Sequence, residues 1–226
     1  MKDYGERDVA NMKHKILIEN EKQANLIVAK VMRITLLIFT FIYILDLIGV
    51  FVVNIKIMTI AYIGSAVLLL LPTLFVNMCK QNNSHIKYLN VIVAVVFTTL
   101  LSITLTYHVV VNYVYPIAIA SLYFSKKLNI LSTGLTVAGV SVGQLAAYYL
   151  DTLQDDNFLT LDYVLLFGIL PRALVLIAIA AIFTMLSART SKLLNNLLNK
   201  EASLHHFHKE MVMGFATLVE NKDGST

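Results

Sequence analysis

The sequence predicts an all-α membrane protein, a six-transmembrane-helix bundle with a cytoplasmic helix at each end. Three observations carry that expectation. The chain is 58% hydrophobic and only 14% charged, with a mean hydropathy of +0.72, a composition foreign to a soluble domain. Six apolar stretches approach the roughly 20 residues that cross a bilayer, at 34–54, 57–78, 88–107, 109–124, 128–150 and 162–187. Basic residues gather at alternate ends of these stretches, as the positive-inside bias requires.

Before the first span, residues 1–33 are polar and mixed in charge. They lack the short apolar core and small-residue cleavage site of a signal peptide, so the N-terminus is expected to be retained. Met12, Ile16, Ala24, Ile27, Val28 and Val31 recur there at near-helical spacing. This predicts an amphipathic helix on the membrane surface or against a partner, with a solvated lead-in helix as the plainer alternative. The fourth stretch is short and holds Pro116, so it is expected to bend or to run close to the third. In the fifth, Gly134, Gly139 and Gly143 with Ser132 and Ser141 favour close helix packing. The lone Cys79 excludes an intrachain disulfide.

Orientation follows from the loops. Lys2, Arg7, Lys13, Lys15, Lys22, Lys30 and Arg33 precede the first span, Lys80 and Lys87 follow the second, and Lys126 and Lys127 follow the fourth. Arg189, Lys192, Lys200, Lys209 and Lys222 follow the sixth; the opposite side has Lys56 and an acidic loop with Asp151, Asp155 and Asp156. Both ends are therefore expected in the cytoplasm. The net charge of +4 is met by this bias and by anionic inner-leaflet lipid, and calls for no nucleic acid.

Ionisable and polar groups inside the spans are the candidates for function, because hydrocarbon penalises them. Asp46 and Arg172 both fall roughly 12 to 15 Å below the outer surface at about 1.5 Å per residue, which predicts that they pair. Gln144, His108, Asn112, Tyr113 and Tyr115 belong to the same half, and Pro116 and Pro171 open backbone carbonyls nearby. Two readings stand at this point, an outward-facing pocket for a small molecule or ion and an interhelical clamp.

After the sixth span, Leu193, Leu197, Lys200, Leu204, Phe207, Met211, Gly214 and Leu218 alternate steps of four and three. This seam suits a parallel coiled coil between two copies over residues 188–218. A second register through Leu194, Leu197, Leu204, Met211, Phe215 and Leu218 is nearly as good, and both remain open. His205, His206 and His208 lack carboxylate or cysteine companions in a defined geometry, so they read as a solvated face rather than a metal site. The stretch HKEMVMGF also lacks the Arg and Pro of a histidine-kinase phosphoacceptor helix.

From Leu204 the chain reads LHHFHKEMVMGFATLVENKDGST, an apolar-periodic helix followed by a turn. Glu220, Asp223 and Thr226 set the pattern E-x-x-D-x-x-T. This segment, about two dozen of the 226 residues, resembles the start of the HD-GYP family of cyclic di-GMP phosphodiesterases. In that family the pattern is followed by Gly-x-His, which this chain does not reach. The resemblance implies that residues 214–226 begin an HD-GYP-like output domain whose divalent metal ions and catalytic histidines lie beyond this chain. Ser225, where some members place an acidic ligand for a third metal, implies a two-metal site that hydrolyses a phosphodiester. No activity and no cofactor are then expected of the chain itself. The expected whole is a sensory module, similar to those preceding output domains in Gram-positive bacteria: 34–187 detects a stimulus and 188–213 transmits it across a homodimer. A different output (diguanylate cyclase, phosphatase or histidine kinase) and a small transporter or channel are the alternatives.

Overall fold

The computed structural model describes the backbone of residues 2–50, 54–78, 85–105, 110–150 and 160–223, and their side chains apart from 2–17, 202, 205, 206, 209 and 216–223. Every regular element among these residues is helical: α1 (Lys2–Leu47), α2 (Ile55–Met78), α3 (Ile86–Thr104), a 3₁₀ stretch (Val110–Val114), α4 (Tyr115–Ser121), α5 (Lys126–Tyr149), α6 (Leu161–Tyr163), a π stretch (Val164–Ile169) and α7 (Leu170–Asp223). The described parts of 1–19 and 189–226 form one compact unit and residues 20–188 the other.

Five helical segments are long and apolar enough to cross a membrane: Ile18–Leu47, Ile55–Met78, Ile86–Thr104, Lys126–Tyr149 and Leu161–Glu201. The fourth predicted stretch forms the shorter apolar helix Val110–Ser121. Its five 3₁₀ residues and seven α residues reach roughly 20 Å, against about 30 Å of hydrocarbon. Pro116 stands in the first turn of α4, where its missing N–H costs nothing. Tyr113, Ile117, Ile119 and Ala120 are at most 2% exposed while Val111 is open, so the inward face of this segment packs on protein.

Chain reversals have local causes. α1 closes with a Schellman motif: Gly49, at φ +83°, donates to the Asp46 carbonyl at 2.9 Å, and Val50 donates to that of Leu45 at 3.0 Å. Asn54 caps α2 by accepting from the Lys56 N–H at 3.1 Å. Phe124, at φ +50°, turns the chain out of α4, and Ser125 then caps α5 by accepting from the Leu128 N–H.

Within the unit 20–188, α3 is the central helix, with eleven of its nineteen residues buried. Gly139 and Gly143 bring α5 against it: a Cβ on Gly143 would meet Ser102 and the Thr99 carbonyl, and one on Gly139 would meet Thr99 and Val95. Gly134 faces open space, which corrects its expected packing role. Ala24, Val28, Met32 and Phe39 of α1 enter the same core as α2 and α3. The inward part of the N-terminal stripe thus packs on the chain's own bundle, while Ile27 is exposed. Outward faces are apolar as well, with Leu37, Phe41, Val67, Val142 and Ile182 all exposed, the arrangement of a bundle whose solvent is lipid.

In the other unit, Leu198 is buried while Leu193, Leu197, Leu204, Phe207 and Met211 are exposed. The predicted seam is therefore an uncovered apolar stripe on the single chain.

Candidate functional site

We call distal the end of the bundle where α1, α3 and α5 finish and α2 and α6 begin, and proximal the opposite end. The distal half holds a polar network drawn from four elements. Gln144 of α5, 1% exposed, is its hub. Its Oε1 accepts from Arg172 Nη1 at 2.5 Å, and its Nε2 donates to Ser102 Oγ at 3.2 Å and to Tyr113 OH at 3.3 Å. Since a guanidinium only donates, the amide oxygen must face Arg172 and the amide nitrogen must face the two hydroxyls. Ser102 Oγ in turn donates to the Val140 carbonyl at 3.4 Å.

Local structure sets these positions. Ser102 ends up beside α5 because Gly143 leaves room for it. Tyr113 is turned inward by the 3₁₀ stretch. Arg172 follows Pro171 and the π stretch Val164–Ile169, in which the Leu170 N–H reaches back to the Leu165 carbonyl. Proline cannot donate, and its ring clashes with the carbonyl four residues earlier in an ordinary helix; the wider π turn accommodates it and gives Arg172 its aim.

The predicted Asp46–Arg172 pair is not made. Asp46 continues the buried stripe of Val28, Met32 and Phe39 on α1 and is 6% exposed, yet neither carboxylate oxygen has a hydrogen-bond partner. The expected depth addresses only one coordinate of a contact, and Arg172 bonds to Gln144 instead. Asn112 is half-buried and makes no side-chain hydrogen bond among the described residues. Tyr115 lies deeper, bonded to Thr35 Oγ1 at 3.1 Å and edge-on to Phe97. His108, Cys79, Lys80, Asp151, Asp155, Asp156, Ser225 and Thr226 lie outside the described residues. Glu220 and Asp223 lie on the last turns of α7, and their side chains are likewise outside. Among the described residues no group of His, Cys, Asp and Glu is disposed to hold a metal.

Proximal polar contacts were missed by the sequence reading. Asn90, Asn25 and Tyr123 form a buried triangle, with Tyr123 OH donating to Asn25 Oδ1 at 2.8 Å and Asn90 Nδ2 donating to Tyr123 OH at 2.9 Å. Lys87 and Glu21 pair beside it at 2.6 Å. Asn129 of α5 donates to Ser187 Oγ of α7 at 2.8 Å and to the Phe183 carbonyl at 3.3 Å. Lone amides inside apolar runs were the available signal.

Two of these contacts join the same helices. Gln144 to Arg172 and Asn129 to Ser187 are separated by the same 15 residues on α5 and on α7. They pin an antiparallel pair at two points about 22 Å apart. Such intramembrane bonds contribute about 0.6 kcal/mol each on average and up to roughly 1.7, enough to favour one setting of α7 and weak enough for a ligand or a change of packing to shift it. The distal set gathers a permanent cation, an amide and two hydroxyls, the chemistry of an interhelical clamp or of a polar-ligand site.

No family model, curated protein or solved structure matches the chain, so function is argued from its own residues.

Proposed function

We propose that the chain is the membrane-embedded input module of a bacterial signalling protein. It has six segments in the inner membrane, both termini in the cytoplasm, and a C-terminal HD-GYP-type cyclic di-GMP phosphodiesterase as its output. The observation that carries this reading is that α7 supplies Arg172 to the buried distal network and also carries the exposed seam from Leu193 to Met211. One helix thereby links a stimulus-facing contact to a surface suited to a second copy. The likeness of Glu220, Asp223 and Thr226 to the HD-GYP start supports the choice of output. A stimulus that competes for Arg172 or Gln144 releases the distal pin, and α7 resets relative to α5.

The test uses the protein with its output domain. R172Q and Q144L should change the rate of cyclic di-GMP hydrolysis while a detached output domain keeps its own rate; unchanged hydrolysis in both variants would contradict the proposal. Reporter fusions at Lys80, Lys126 and the C-terminus should report cytoplasm and one at Asp155 the outside, and a cytoplasmic signal at Asp155 would overturn the six-segment topology. The buried carboxylate of Asp46 favours one rival, a small transporter. Cation-coupled uptake abolished by D46N would establish it.

A further inference from the structure

Beside its proximal pin, the α5/α7 pair leaves a groove of about 440 Å³. Ile130 of α5 and Ile177, Ala180, Ala181 and Met185 of α7 wall it, and Lys126 stands at its proximal mouth. We propose that this groove binds one anionic phospholipid, with an acyl chain against the apolar wall and the phosphate headgroup held by Lys126 and Lys127.

Shape, length and charge all favour this occupant. Ala180 and Ala181 form a hollow in a face otherwise built of exposed Ile130, Ile177 and Met185, and at membrane depth a hollow of that polarity is filled by hydrocarbon. The wall runs from Ile177 to Ala188, about 16 Å along the helix. That is half of the roughly 30 Å hydrocarbon thickness, the reach of one leaflet's chain. Lys126 and Lys127 are exposed and have no carboxylate partner among the described residues. They also occupy the first turn of α5, where the helix dipole adds to their positive charge. Paired lysines at the mouth of an apolar groove favour a headgroup of net negative charge over a zwitterionic one. The choice of leaflet rests on the orientation proposed for the chain. Such a lipid would touch the helix pair that the two pins hold, and so would tune the setting of α7.

The chain is reconstituted in nanodiscs of equal phosphatidylcholine and phosphatidylglycerol, released into mild detergent, and its retained lipid identified by native mass spectrometry. The wild type should favour phosphatidylglycerol about fivefold for each engaged lysine, the equivalent of roughly 1 kcal/mol apiece. K126A/K127A, at exposed positions that leave the helices intact by circular dichroism, should fall to parity. A181F, which fills the groove, should lose lipid of both classes; should it fail to fold, the lysine pair decides alone. Parity in the wild type, or an undiminished preference in K126A/K127A, overturns the proposal. So would high-yield disulfide formation between copies of A181C, which would assign the groove to a second chain. Because retention does not depend on which way the chain faces, failure here is distinct from failure of the topology.

Discussion

Replacing Gly143 with alanine should separate α5 from α3 and stretch the distal network. The new Cβ would lie 2.7 Å from Ser102 Oγ, 2.8 Å from Ser102 Cβ and 3.1 Å from the Thr99 carbonyl oxygen, where ordinary contact begins near 3.4 Å. Ser102 is short and the carbonyl is backbone, so neither can swing aside and α5 must withdraw by about 0.6 Å. The Gln144 to Ser102 bond, already 3.2 Å, then passes beyond hydrogen-bond reach. Overpacking costs roughly 1 to 3 kcal/mol and the lost bond about 0.6 kcal/mol. Gly134→Ala is the matched control, because its Cβ meets nothing within 4 Å. The helix-propensity gain from glycine to alanine is common to both variants and cancels in their difference. The two should therefore differ by roughly 1.5 to 3.5 kcal/mol in SDS-driven unfolding from mixed micelles monitored by circular dichroism. Equal midpoints would refute the close α3–α5 contact and the packing that positions Ser102.

Asp46→Asn, which removes a buried carboxylate without hydrogen-bond partners, should stabilise the bundle or leave it unchanged, whereas a loss of about 1 to 3 kcal/mol in the same assay would mean that the carboxylate is paired. In double-mutant cycles, Q144L and R172Q should show a coupling of about 0.6 to 1.7 kcal/mol, while D46N and R172Q should add to within roughly 0.5 kcal/mol; the reverse pattern would restore the pair expected from depth alone. Single cysteines at Leu193, Leu197, Leu204 and Met211 should crosslink between copies faster than at Asn196 or Asn199, and equal rates would mean the stripe is not a dimer seam.

Long apolar runs made the spanning helices legible, because some 20 residues of consistent hydropathy outweigh any local ambiguity. The fourth segment broke that logic: one face of its apolar run packs against neighbouring helices, and hydropathy alone does not separate a short packed helix from a span. Depth along a helix was readable from residue counts, but azimuth was not. Residue counts put Asp46 and Arg172 at one expected depth, yet Arg172 bonds to Gln144 and Asp46 has no hydrogen-bond partner. The glycines teach the same lesson. Gly139 and Gly143, four residues apart, share the face toward α3, while Gly134 lies about 140° round from Gly139 at roughly 100° per residue and meets nothing. Ser102 was invisible as a network member because a serine in an apolar helix ordinarily satisfies itself on its own backbone. Asn90 and Asn129 carried a signal that the sequence analysis passed over, since an amide in hydrocarbon is costly without a partner.

The central claim is that α7 carries a change at the distal pin to the output domain. An insertion series beside Asn196, in the protein with its output domain, tests it most directly by cyclic di-GMP hydrolysis. Inserting seven residues preserves the heptad phase and should keep activity and its response to R172Q, whereas inserting two or three rotates the downstream part of the helix by roughly 200° or 300° at about 100° per residue and should change both. Hydrolysis indifferent to insertion length would contradict the account and leave α7 a passive tether.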